Sequence, residues 1–256
     1  MVRKTPGEIE LMDGANRIVH AVLAGIAQRI GPGVTTAELD RFAEQTIREA
    51  GGVPAFLNYK GYPATICASR NDVIVHGIPD QEPLDEGDIV GIDCGVVYQG
   101  YFGDAARTFE IGQVDAQASK LLDVTRHALD LAVGQVRVGG RLSDIGYVVQ
   151  RHVEENGFSV VREFVGHGIG TSLHEDPQVP NFGRPGEGPK LEAGLVLAIE
   201  PMVNSGSPGV LVDRDGWTAR TDDGSLSAHF EFSVALTETG PRVLGVEPAG
   251  METAIA

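Results

Sequence analysis

Basic residues are scarce: 20 lysines and arginines stand against 36 aspartates and glutamates, a formal net charge of −16. Phosphate backbones are held by a lysine and arginine footprint, so this deficit works against a nucleic-acid partner. Cysteine is scarce too. Cys67 and Cys94 are the only two, and one bridge at most is too few for a secreted disulfide scaffold, so both read as free thiols of a reducing compartment. The first residues, Met1 to Glu8, contain no apolar stretch like a signal-peptide core, and no later apolar run is long enough to span a bilayer, which points to the cytoplasm. Linkers, low-complexity tracts and charge blocks are missing from the body. The 256 residues therefore read as a single domain, with a loose tail from Glu247 to Ala256.

What is present alternates between two textures. Thr5-Pro6-Gly7-Glu8 is a capping box with proline at the first helical position, followed by Leu11, Ala15, Ile18, Val22 and Ile26 on one face. Thr35-Thr36-Ala37-Glu38 caps a second helix with Leu39, Phe42, Ala43, Ile47 and Ala50 directed inward, stopped by Gly51-Gly52. From Val53 to Phe109 short β-branched runs separated by Gly, Pro and Asn predict strands and hairpins. Helical periodicity returns over Ala116 to Val136 and Leu142 to Glu155, and strands again from Val160 to Val243. This is an α+β order, helices then strands twice over, and it suggests two similar halves of about residues 5–110 and 111–246.

Three echoes support a duplication. Gly33 to Gly51 aligns without gaps on Gly139 to Gly157, setting Leu39 on Ile145, Phe42 on Val148 and Ile47 on Val153. His76-Gly77-Ile78 recurs as His167-Gly168-Ile169. The run from Gly87 to Asp93 recurs from Gly194 to Glu200, so each half offers a carboxylate at the end of an equivalent apolar strand. A pseudo-twofold would bring Asp93 and Glu200 face to face.

Asp93 is read as closing a buried strand, where a carboxylate is costly unless a cation or hydrogen bonds compensate it. A hairpin at Gln99-Gly100 would bring Asp104 to within about two positions of opposite Asp93. Either acid alone reads more readily as a solvated hairpin residue; together on paired strands they look like ligands. Glu231, between Phe230 and Phe232, points to the face opposite its neighbours. His167 lies in Gly166-His167-Gly168-Ile169-Gly170, where glycines allow close approach to the ring, although a lone strand histidine is more often a satisfied core residue. Four carboxylates with one imidazole suit two first-row divalent ions such as Mn, Fe, Co or Zn, held roughly 3.5–4 Å apart as in two-metal hydrolases.

The chain resembles the type I bacterial methionine aminopeptidases of the pita-bread metallopeptidase superfamily from Thr5 to Gly240. The resemblance is carried by Asn71 to Pro79, Gly91-Ile92-Asp93 through Gly103-Asp104, Gly166 to Gly170 with His174, Ile199-Glu200-Pro201-Met202-Val203-Asn204, and Ser225 to Ala228 leading to Glu231. It implies a pita-bread fold of duplicated halves, with an antiparallel sheet flanked by helices. It implies that Asp93, Asp104, His167, Glu200 and Glu231 bind two metal ions, that His76 contacts the scissile amide, that His174 stabilises the oxyanion, and that Glu200 shuttles the proton of the water. Tyr59, Tyr62, Cys67, Leu173 and Trp217 fall where the family lines its methionine pocket, a soft and aromatic surface suited to a thioether. The family often has an aromatic where Leu173 stands. Cys67 would also make the site a target for thiol reagents.

The expected activity is removal of the initiator methionine, by two-metal hydrolysis, from nascent chains and peptides with a free amine and a small second residue. Nascent N-termini at the ribosome are the implied partners, without nucleic-acid or membrane contact, and the family suggests a monomer. No cysteine-rich region precedes Thr5, and the 33 residues from His167 to Glu200 leave no room for the helical insertion of type II enzymes. Two alternatives share the fold. X-Pro aminopeptidases and prolidases use the same five ligands but usually carry a further N-terminal domain, and inactive binding relatives should lack one or more ligands.

Overall fold

A computed structural model describes residues 1–246; the expected loose tail, Glu247 to Ala256, lies outside the described residues. The first half runs α1 (Pro6–Ala27), α2 (Thr36–Glu49), β1 (Val53–Pro54), a single 3-10 turn (Tyr59–Gly61), β2 (Ile66–Arg70), β3 (Val73–Val75), β4 (Ile89–Tyr98) and β5 (Tyr101–Glu110). The second half runs α3 (Ala116–Gln135), α4 (Leu142–Glu155), β6 (Ser159–Val160), β7 (Gly166–Gly168), β8 (Glu175–Val179), β9 (Val196–Ile199) and β10 (Met202–Asn204). It closes with β11 (Val210–Val212), β12 (Ala219–Thr221), β13 (Ser227–His229), β14 (Glu231–Thr237) and β15 (Gly240–Val243).

Local chemistry sets the helix ends. Thr5 and Thr35 each accept a hydrogen bond from the backbone of the glutamate three residues on, and that glutamate reaches back to the cap N–H. Both boxes satisfy donors that the first helical turn leaves orphaned. Two inward assignments change. Leu11 is only half-buried while Ile9, Met12, Val19 and Leu23 join the buried face, and Ala50 is exposed because the helix ends at Glu49 and Ala50 is already its cap.

The main sheet is antiparallel, ordered β1-β4-β5-β14-β9-β7-β8, with β2 also on β4 and β15 on β14. Its strands alternate strictly. Val90, Ile92, Cys94 and Val96 of β4 and Ala105 and Phe109 of β5 pack against α1 and α2. Leu197 and Ile199 of β9 and Phe232, Val234 and Leu236 of β14 pack against α3 and α4. Each buried aliphatic stabilises its layer by about 1.5–3 kcal/mol. The residues between them face the other way, Asp93 of β4 among them.

The halves are related by a pseudo-twofold axis between β5 and β14. Gly33 donates to Leu84 O and Leu84 to Val34 O; Gly139 donates to Leu191 O and Leu191 to Gly140 O. Helices α2 and α4 are both 14 residues long. One expected echo does not follow this symmetry. His167 lies on β7, which pairs β9 as β2 pairs β4, whereas His76 follows β3, so the repeated His-Gly-Ile is a coincidence of sequence. Asp93 also lies mid-strand rather than at a strand end: β4 continues five residues beyond it, to a turn at Gln99-Gly100 whose two positive φ angles, 51° and 85°, match a tight hairpin.

Candidate active site

Register alone assembles the site. Asp93 faces Cys67 on one side and Ala106 on the other, Ala106 faces Glu231, and the pairing of Phe232 with Ile199 sets Glu231 beside Glu200. One row across the sheet therefore carries Cys67, Asp93, Ala106, Glu231 and Glu200. Asp104 lies two residues from Ala106, and His167 pairs with Ala198, two residues from Glu200, so both return to the same face.

Ligand atoms of Asp104, His167 and Glu231 lie within 4.8 Å of one another. His167 Nε2 is 4.0 Å from Asp104 Oδ2 and 3.5 Å from Glu200 Oε1. Its Nδ1 lies 2.9 Å from the carbonyl of Gly168, an arrangement that leaves Nε2 directed at the acids. Asp104, His167 and Glu231 are buried, while Asp93 and Glu200 keep some surface where they line the cavity.

Burial dominates the electrostatics. Removal from water, reinforced by neighbouring carboxylates, pushes Asp104 and Glu231 well above the usual carboxylate range. Asp93 rises to about 7, mainly through burial and secondarily through Glu200, and Glu200 rises to about 7 through burial. Four carboxylates this close cannot all be charged without cations. Asp93 Oδ1, Asp104 Oδ1 and Glu231 Oε1 are buried with no hydrogen-bond partner. Such orphaned oxygens, with a nitrogen donor beside them, are the chemistry a hard to borderline divalent ion requires, and the residues fit one.

A cavity of about 260 Å³ opens onto this cluster, lined by the five donors together with Tyr59, Tyr62, Cys67, His76, Leu173, His174 and Trp217. All twelve residues singled out in the sequence therefore line one cavity, and Phe56 and Lys60 join them. His76 has φ 61° and packs edge-on against Phe164 and Trp217, with ring centroids 5.3 and 6.4 Å away. Burial pulls its pKa down to about 4, so the ring is neutral near pH 7. His174 stacks obliquely on His167, and its Nδ1 is 2.8 Å from the Tyr59 hydroxyl. Its loop is held from behind: Glu175 accepts from the backbone of Thr171 and Ser172 and pairs with the buried Lys4.

Burial pushes the Cys67 thiol well above its ordinary value, with Asp93 adding to it. The residue that sequence reading missed is His229. Its Nε2 is buried, lacks a hydrogen-bond partner and lies 3.6 Å from Glu200 Oε2. One signal was available: it precedes Glu231 by two positions, the spacing that returns a strand residue to the same face.

Comparison with known proteins accords with this geometry. Residues 10–238 match the model of metallopeptidase family M24. A methionine aminopeptidase of Clostridium perfringens is 50% identical over 244 residues, covering 95% of this chain and 98% of that one. The crystal structure of a methionine aminopeptidase from Thermotoga maritima superposes with a TM-score of 0.95 at 44% identity, covering 96% of this chain and 100% of that one. A prolidase from Pyrococcus furiosus, 21% identical with a TM-score of 0.78, shares the fold; the match covers 96% of this chain and 66% of the prolidase.

Proposed function

The chain belongs to metallopeptidase family M24, and from that membership we propose that it removes the N-terminal methionine of proteins and peptides whose second residue is small. It is a hydrolase, a metallo-exopeptidase that uses divalent metal. The observation that carries the substrate reading is the composition of the cavity lining: five metal-type donors together with Tyr59, Tyr62, Cys67, Leu173 and Trp217. The second group gives a thioether aromatic and sulfur contacts.

In this reading Asp93, Asp104, His167, Glu200 and Glu231 hold two ions drawn from Mn, Fe, Co and Zn. When bound, the metal supplies a Lewis acid for the scissile carbonyl and lowers the pKa of the hydrolytic water. The remaining work falls to the chain's own groups. The apolar wall fixes the methionine side chain and excludes water from it. Neutral His76 donates to the scissile amide. A hydrogen bond from the Tyr59 hydroxyl to His174 Nδ1 leaves the ring proton on Nε2, directed at the oxyanion that forms on the carbonyl. Glu200 takes a proton from the water and returns it to the departing amine.

A formylated amine could not enter, so bacterial substrates must first be deformylated. We place the enzyme in the cytoplasm, acting as a monomer on N-termini leaving the ribosome. Among the described residues no helix is long and apolar enough to cross a membrane, which fits that placement. The test is mass-spectrometric detection of free methionine from a Met-Ala-Ser peptide with Mn- or Co-reconstituted protein, chelated protein and Asp104→Ala. Release that needs both metal and Asp104 is expected. Cleavage of an X-Pro peptide instead, or of nothing under any metal, would replace this reading with a proline-specific peptidase or an inactive binding protein.

A further inference from the structure

The seam between the halves treats its two sides alike. The Thr108 hydroxyl donates to the carbonyl of His229 at 2.8 Å and accepts from its N–H at 2.9 Å. The Ser233 hydroxyl donates to the carbonyl of Asp104 at 2.9 Å and accepts from its N–H at 3.3 Å. Ala106 and Glu231 face each other between these pairs. The axis therefore exchanges Thr108 with Ser233, Ala106 with Glu231 and Asp104 with His229. His229 holds, in the second half, the place that Asp104 holds in the first, and it sends its side chain to the same face of the sheet.

The surroundings of the ring give that place a purpose. His229 is 3% exposed, and its Nε2 has no hydrogen-bond partner. The carboxylate oxygen Glu200 Oε2 lies 3.6 Å away, just outside hydrogen-bond distance and within a small rotation of the carboxyl. The other oxygen of the same carboxyl, Oε1, is 3.5 Å from His167 Nε2. Glu200 thus stands between two imidazoles, one from β7 and one from β13. Metal-binding carboxylates are commonly oriented by a hydrogen bond to their outer oxygen.

We propose that His229 is a positioning residue, whose Nε2–H donates to Glu200 Oε2 and turns Oε1 toward His167 and the donor cluster. This rests on the reading of Glu200 as a ligand. The ring works in its neutral form, as a donor, and touches neither substrate nor reacting atoms. Its pseudo-symmetric partner Asp104 is itself one of the cluster donors, so the two halves contribute equivalent positions to different tasks.

The test compares His229→Leu, which fills the space without a donor, with His229→Gln, whose amide N–H reaches the same oxygen. Calorimetric Mn²⁺ affinity is read first, and methionine release from Met-Ala-Ser second. His229→Leu should lose about 10- to 100-fold in affinity and His229→Gln should stay within about threefold of wild type. A leucine variant that binds Mn²⁺ like the wild type, or a glutamine variant that falls as far as leucine, overturns the proposal. Should His229→Leu fail to fold, the His229 ring Nε2 proton is followed by ¹H–¹⁵N spectroscopy in metal-free wild-type protein. It should shift on Glu200→Gln, and an unmoved signal overturns the proposal. Failure of the functional reading would look different: wild-type protein would release no methionine under any metal.

Discussion

Gly168→Ala probes how tightly the sheet fixes His167. A Cβ at this glycine would lie 2.4 Å from Asp176 O, 2.8 Å from Asp176 C and 3.1 Å from Glu175 O, all backbone atoms that no rotamer change can move. Ordinary contact begins near 3.4 Å, so β7 and β8 must part by about 1 Å. The displaced residue adjoins His167, whose Nε2 stands 3.5 Å from Glu200 and 4.0 Å from Asp104. A misplacement of that size at a reacting centre costs roughly 100-fold in rate, and the overpacking costs about 1–3 kcal/mol in stability. The assay is kcat/KM for methionine release at saturating metal, with a denaturant melt in parallel. Gly134→Ala is the control: an added Cβ there meets nothing within 4 Å, and helix propensity should raise stability by about 0.5–1 kcal/mol with activity unchanged. Activity of Gly168→Ala within threefold of wild type would refute the reasoning, because β7 and β8 would then separate without moving the imidazole.

Two further outcomes are expected. In chelated protein the raised pKa values of Asp93 and Glu200, each about 7, mean that the folded state keeps protons the unfolded chain has released. Their stabilisation is complete below the ordinary carboxylate pKa and is lost progressively as pH rises from there to about 7. The denaturant midpoint of chelated protein should therefore fall between about pH 4 and pH 7, and Mn²⁺ should restore most at the upper end, where it no longer competes with protons; a flat or rising midpoint in the chelated protein would contradict the buried cluster. Tyr59→Phe removes the 2.8 Å hydrogen bond to His174 Nδ1 and should lower kcat about fivefold, the equivalent of about 1 kcal/mol, with KM little changed. An unaltered kcat, or an effect confined to KM, would place Tyr59 in the pocket wall only.

The sequence made some features plain because single residues encode them. The threonine and glutamate of each capping box, and the glycines after α2 and α4, set those helix boundaries to within a residue or two. The acids were legible because a carboxylate inside an alternating apolar strand is costly to bury unless a cation or hydrogen bonds offset it. What escaped depended on pairing. The position of Asp93 in the middle of β4 comes from strands that extend it on both sides, and Ala50 fell outside the core because the helix stops one residue short of it. The shared His-Gly-Ile misled because three identical letters carry no register. His229 stayed hidden because its counterpart is an aspartate, and only the matched hydroxyl bridges of Thr108 and Ser233 reveal the equivalence.

Those bridges have a consequence for how the chain folds. The seam pairs Ala106 with Glu231 and Ala105 with Phe232, partners 125 and 127 positions apart, while each half is knit by shorter-range hairpins and its own pair of helices. Contacts so distant in sequence repay their loop-closure entropy last. Asp93 and Asp104 arrive with one half, His167, Glu200 and Glu231 with the other, so a chain whose halves have formed but not docked owns two incomplete sets. Competence to take up metal is therefore expected late in maturation, when the long-range contacts of the seam close.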